Sequence, residues 1–130
     1  MSASAEQEVL DASRALLSSI DRQDWKAYTE LCDPTLTCFE PEAEGHLVSG
    51  MPFHQFYFQS EHFPAGVRQS SMSSPHVRIV GECAIVSYVR LTQKINAQGQ
   101  DSVVATDETR VWAKQGGKWR HVHFHRSRYG

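Results

Sequence analysis

Asp107-Glu108-Thr109-Arg110-Val111-Trp112 and Gly117-Lys118-Trp119-Arg120-His121-Val122-His123-Phe124-His125-Arg126, joined across Gln115-Gly116-Gly117, decide how this chain folds. Both segments alternate β-branched or aromatic residues with charged ones around a Gly-Gly turn, the pattern of a β-hairpin. Residues two apart on a strand share a face. Arg110 therefore falls with Trp112, and Arg126 with Val122 and Phe124. The arginines stand on the apolar side, where a core belongs.

Upstream, Cys83 to Lys94 reads as a long strand, Asn96-Ala97-Gln98-Gly99-Gln100 as a turn and Val103 to Lys114 as the next strand. With turns centred near Gln98 and Gly116, the register sets Arg90, Thr106 and Arg126 side by side. Tyr88, Glu108 and Phe124 form the next layer, then Val86, Arg110 and Val122. A single bulge shifts such a register. Three arginines and one glutamate thus share a face otherwise lined with valine, tyrosine, tryptophan and phenylalanine. An unpaired buried guanidinium costs on the order of several kcal/mol, and three cations cannot all pair with Glu108. Either Arg90 and Arg126 reach solvent at the rim while Arg110 pairs with Glu108, or an anion completes the face. A planar carboxylate suits a guanidinium clamp.

The N-terminal half is helical. Ser4-Ala5-Glu6-Gln7 fits a capping box, and Val9, Leu10, Ala12, Leu16, Leu17 and Ile20 form an apolar stripe at helical spacing, predicting a helix from about Ala5 to Asp21. Asp24 caps a second, shorter helix that stops near Asp33-Pro34. Thr35 to Phe39 and His46 to Val48 are short extended pieces around the acidic turn Glu40 to Gly45. Pro52 opens a third helix, where Phe53, Phe56, Tyr57 and Phe58 predict burial nearly all round, with His54 among the rings. The loop Ser60 to Gly66 is weakly specified, and Val77 to Val80 is extended. Helices first and an antiparallel meander last make an α+β domain spanning residues 1–130, with the long helix across a curved sheet.

At 130 residues the chain can bury a core without metal or disulfide. A formal charge of −2 gives no reason to expect nucleic acid. No signal sequence or membrane-length apolar run is present. Cys32, Cys38 and Cys83, without CxxC spacing, read as buried thiols in a reducing compartment, so a cytoplasmic location is expected.

His121, His123 and His125 alternate on the opposite face of the last strand; with no third ligand fixed by sequence, packing or a subunit contact is favoured over a metal. No cofactor is expected. An enzymatic reading, a lyase or isomerase, would use Tyr88 or Tyr28, Glu108 and His54 for proton transfer at carbon. An arginine beside Glu108 lowers its pKa and weakens it as a base, and no phosphate loop or nucleophile elbow is present.

Cys32-Asp33-Pro34, Phe39-Glu40-Pro41-Glu42-Ala43, Phe53-His54 with Phe56-Tyr57-Phe58, and Tyr88-Val89-Arg90-Leu91-Thr92-Gln93 carry a resemblance. It continues through Glu108-Thr109-Arg110-Val111-Trp112, Gly117-Lys118-Trp119 and His123-Phe124-His125-Arg126-Ser127. Over nearly the whole chain the sequence resembles the association (hub) domain of calcium/calmodulin-dependent protein kinase II. The resemblance implies a nuclear transport factor 2-like cone, no catalysis, and homo-oligomers of two stacked rings, commonly dodecameric or tetradecameric, that gather kinase subunits. It also implies that Arg90, Arg110 and Arg126, with His54 at the same pocket, hold a small carboxylate, and Glu108 and Tyr88, on the same face as the arginines, are expected among the residues of that anion pocket. The chain departs from the family in starting almost at its first helix, as a free-standing hub homologue or an excised fragment would. It also departs at His62, where animal hubs carry tryptophan, and along Ser60 to Ser74.

Overall fold

The computed structural model describes residues 4–59 and 66–128. The long helix α1, Ala5–Asp21, begins where Ser4 Oγ accepts from the Gln7 amide at 3.1 Å. Only half of the expected capping box forms, because the Gln7 side chain donates forward to Asp11 at 2.9 Å. Helix α2, Trp25–Leu31, starts where Asp24 Oδ1 accepts from Ala27 N. Strand β1, Cys32–Phe39, leads into a 3-10 turn, Pro41–Ala43, which ends with Glu44 in the left-handed region, and then into β2, Val48–Ser49. Helix α3, Pro52–Gln59, follows.

The remaining elements are strands: β3, Gly66–Val80; β4, Cys83–Asn96; β5, Asp101–Gln115; and β6, Lys118–Arg128. They make one sheet in the order β2-β1-β6-β5-β4-β3, antiparallel except where β1 runs parallel to β6. Strand β3 begins well before the Val77 to Val80 segment that the sequence marks. Its serine-rich half is held as a strand by its ladder to β4, Gly66↔Asn96 through Ser73↔Val89.

Burial alternates strictly along β4: Ala84, Val86, Tyr88, Arg90 and Thr92 are buried, and their odd-numbered neighbours are less so. The buried face shares one core with Val9, Leu16 and Leu17 of α1, Tyr28 of α2, and Trp112 and Phe124. Trp119 Nε1 donates to Glu8 at 3.2 Å and ties β6 to α1. This is an α+β cone, a curved sheet wrapped on the long helix.

Two expectations need correction. Helix α3 is not buried all round: His54 is its buried residue, while Phe56 is 67% exposed because the helix lies against the core on one side only. The β5–β6 register is shifted by two. Arg126 pairs with Glu108 and Phe124 with Arg110, whereas β4 and β5 pair as expected, Arg90 with Thr106 and Tyr88 with Glu108. Between Val111 and Trp112 the register slips, so Val122 is an extra residue and His121 opposes Trp112. His121 is therefore fully buried on the inner face and does not share the outer face with His123 and His125.

Candidate functional site

A cavity of about 250 Å³ lies between the C-terminal end of α1, α3, the 3-10 turn and strands β3 to β6. Arg90, Arg110 and Arg126, on one face by strand parity, line it together with His54 of α3. Three further cations, Arg68, Lys94 and Arg128, join them, and two carboxylates, Glu40 and Glu42, reach the same space.

Tyr88 and Glu108, expected in the pocket itself, do not line it: both are buried behind the cavity wall, where they hold each other and Arg110. Glu108 is 2% exposed; Tyr88 Oη donates to its Oε1 at 2.6 Å, and Arg110 Nη2 donates to the same oxygen at 2.8 Å. Arg110 Nε also donates to Tyr88 Oη at 2.8 Å. On the other carboxylate oxygen, Arg90 Nη1 stands at 3.4 Å and Thr106 Oγ1 at 3.3 Å. Burial alone would raise the Glu108 pKa, but Arg110 and Arg90 outweigh it and hold the carboxyl at about 2. A carboxylate held that low is a poor general base, which weighs against proton abstraction. The Tyr88 hydroxyl is pushed up by burial and stays protonated.

The three arginines are not left unpaired, contrary to the charge count made along the strands alone. Arg90 Nη2 reaches Asp21, the last residue of α1, at 3.2 Å, and its Nε donates to Ser70 at 2.9 Å. Arg68 donates to Ile20 O at 2.9 Å, closing the C-terminal end of α1, and stands 3.5 Å from Asp21. Arg126 Nη2 is clasped by both oxygens of Glu42, with Glu40 at 3.6 Å. Glu42 also meets Arg128 at 3.4 Å. These partners come from a helix end and a turn, where strand parity has nothing to say. The Phe39-Glu40-Pro41-Glu42 turn was legible as acidic, and that acidity beside an arginine-lined face was the available signal.

Electrostatically the cavity is still positive: six cations face it, against Glu40 and Glu42 within and Glu108 and Asp21 behind. Burial and then the guanidinium groups of Arg68, Arg128, Arg90 and Arg126 push the Lys94 pKa down. His54 is brought to about 4 by burial, then by Arg110 and Arg126, so its ring is neutral at pH 7. Its ring packs among Tyr28, Phe53 and Phe124. Burial works upward on Glu42, but Arg126 outweighs it. Glu40 shifts the other way, because burial outweighs the pull of Arg126. His62 lies outside the described residues.

Residues 5–130 match the family model described as calcium/calmodulin dependent protein kinase II association domain. The chain is 45% identical over 123 residues to calcium/calmodulin-dependent protein kinase type II subunit delta of Oryctolagus cuniculus, covering 93% of this chain. It spans 23% of that protein's length. Among solved structures, the CamKII hub homology domain of Chlamydamonas reinhardtii superposes with a TM-score of 0.90 at 47% identity, covering 98% of this chain and 100% of that one. A nuclear transport factor 2-like protein of Salmonella enterica superposes with a TM-score of 0.80 at 22% identity over 96% and 91% of the two chains, a likeness of fold alone.

Proposed function

The chain belongs to the calcium/calmodulin-dependent protein kinase II association domain family, a non-catalytic hub module, and on that premise we propose that it self-assembles into homo-oligomeric rings. The observation that carries this reading is the uncovered outer face of the sheet. Among the described residues the helices pack on the inner face, with Val9, Leu16, Leu17 and Tyr28 in the core shared by Val86 and Trp112. The outer face presents Ile85, Val89, Leu91 and Ile95 from β4, Val103 and Val111 from β5, and Val67 and Val80 from β3. Val67 is 67% and Val103 63% exposed. On that face these side chains are interleaved with Ser71, Ser73, Gln93 and Asp107, the mixed apolar and polar character of a surface that a second subunit covers. Covering it contributes roughly 25 cal/mol for each Å² of apolar area buried, and a standard interface buries about 1,600 Å².

Two stacked rings of twelve or fourteen subunits, gathering kinase subunits in the cytoplasm, are the finer form of this proposal. Arg90, Arg110 and Arg126, with His54 beside them, are its site for a small carboxylate, and Glu108 and Tyr88 hold Arg110 in place from behind. The surplus of cations around the cavity supports that second part. Native mass spectrometry at micromolar concentration tests the assembly: a ring-sized homo-oligomer is expected, and a monomer or simple dimer overturns the reading.

A further inference from the structure

One corner of the cavity wall joins a thiol, an imidazole and a carboxylate from neighbouring parts of the fold. Cys38 sits on β1, Glu40 opens the turn after it, and His54 comes from α3. Cys38 Sγ is 3.8 Å from His54 Nε2, and Glu40 Oε1 is 3.7 Å from His54 Nδ1. One donor atom from each residue lies within 4.8 Å of the other two. Two ligands of a tetrahedral zinc ion, at about 2.3 Å for sulfur and about 2.0 Å for nitrogen, stand about 3.5 Å apart. The Cys38–His54 separation is close to that span. We propose that Cys38, His54 and Glu40 form a binding site for a thiophilic divalent cation of the zinc class.

The cavity as a whole is positive, but the two guanidinium groups that act most on His54 are already paired. Arg110 is engaged by Glu108 and Arg126 by Glu42, so the two strongest nearby cations already have carboxylates of their own. Glu40 is held more loosely: its side chain is 8% exposed, and its ion-pair partner Arg126, already clasped by Glu42, stands 3.6 Å off. A buried carboxylate so loosely partnered is costly, and a dication would satisfy it. Among the described residues the Cys38 thiol likewise has only the long contact to His54. Binding displaces the thiol proton to solvent and gives a thiolate ligand, so the ion meets two negative charges and one neutral ring.

The Cys38 and Glu40 contacts fall on opposite ring nitrogens of His54, so an ion at the Cys38–Nε2 span has Glu40 behind the ring. With the ion on His54 Nε2, the other ring nitrogen faces Glu40, the carboxylate–histidine–metal pattern that orients an imidazole. Glu40 can serve from that position or rotate its second oxygen onto the ion. His54 and Glu40 both line the cavity, so the ion enters from that side and keeps an open coordination position facing it. Water or a carboxylate in the cavity would complete the shell.

Titration of the full chain, reduced and at neutral pH, with cobalt(II) chloride tests the site by absorbance. The expected result is a near-ultraviolet thiolate-to-cobalt band saturating at one equivalent per chain and bleached by zinc chloride. Cys38→Ser should abolish the band while far-ultraviolet circular dichroism stays unchanged. Glu40→Gln should keep the band but weaken cobalt binding about tenfold, and it carries the test if Cys38→Ser does not fold. Cobalt held by His123 and His125 on the outer face gives no thiolate band. Absence of the band in the unaltered chain, its survival in Cys38→Ser, its loss in Cys83→Ser, or unchanged affinity in Glu40→Gln overturns the proposal.

Discussion

Arg110 donates to Glu108 across 2.8 Å from two positions further along the same strand, and both side chains are almost closed to water. Because strand neighbours of equal parity share a face, β5 alone assembles the pair. The guanidinium also stacks 4.5 Å over the Phe124 ring and holds Tyr88 Oη. Removing one partner leaves an uncompensated charge in a dry site. Glu108→Ala is therefore expected to cost about 3–5 kcal/mol, read as a lowered urea midpoint. The double variant Glu108→Leu/Arg110→Met should cost much less than the two single changes combined, since an apolar pair of similar volume buries no charge.

Acid should weaken the fold in two stages. His121 meets Arg110 at 3.4 Å and Cys32 at 3.6 Å and packs on Trp112 and Phe124. Burial, then Arg110, His54 and His123, hold its pKa well below the ordinary value. The unfolded chain takes up a proton near pH 6.5 that the folded chain refuses. That contribution is thus full above about pH 6.5 and is lost as pH falls below it. Glu108, at about 2 when folded and about 4.3 when unfolded, contributes on the order of 3 kcal/mol. Its contribution is full above about pH 4.3 and is lost as pH falls toward 2. Urea midpoints measured from pH 7 to 2 should show both stages. His121→Gln should reduce the first, which buried His54, at about 4, shares, and Glu108→Gln should flatten the second; if neither slope changes, the assignments fail.

The outer face gives a separable test of assembly. Leu91 stands in the middle of that face, opposite Ser71 on one side and Ala105 on the other. Leu91→Glu should leave the protomer's secondary structure intact and abolish ring-sized species in sedimentation, because a buried carboxylate at an interface has no partner there. Full assembly by the variant would place the contact elsewhere.

Parity made Arg90, Arg110 and Arg126 legible as neighbours, because a period of two needs no knowledge of anything beyond the strand. It could not see Asp21 and Glu42, which reach the arginines from a helix end and a turn, nor Arg68, on the half of β3 ahead of the marked Val77 to Val80 segment. An edge strand with a polar outer face has little local propensity to reveal it; the ladder to β4 makes it a strand. The slip at Val122 left no mark in the alternation, so His121 read as an outer residue although it is part of the core. Helix α3 misled in the opposite sense, since its aromatic richness says nothing about which ring faces water.

The clasp of Arg126 by Glu42 makes the carboxylate proposal sharper. An anion entering the cavity competes with a carboxylate already bound to the guanidinium, so the protein's own side chain sets part of the affinity. A small dicarboxylate, succinate for instance, should raise the melting temperature according to RT ln(1 + [L]/Kd). Arg126→Ala should remove most of that shift. Glu42→Gln should enlarge it, because the amide no longer neutralises Arg126, and about a tenfold gain corresponds to about 1.4 kcal/mol. Thermal melts across a succinate titration separate the variants. A shift undiminished in Arg126→Ala puts the anion elsewhere, and a smaller shift in Glu42→Gln means that Glu42 helps hold the ligand and does not compete with it.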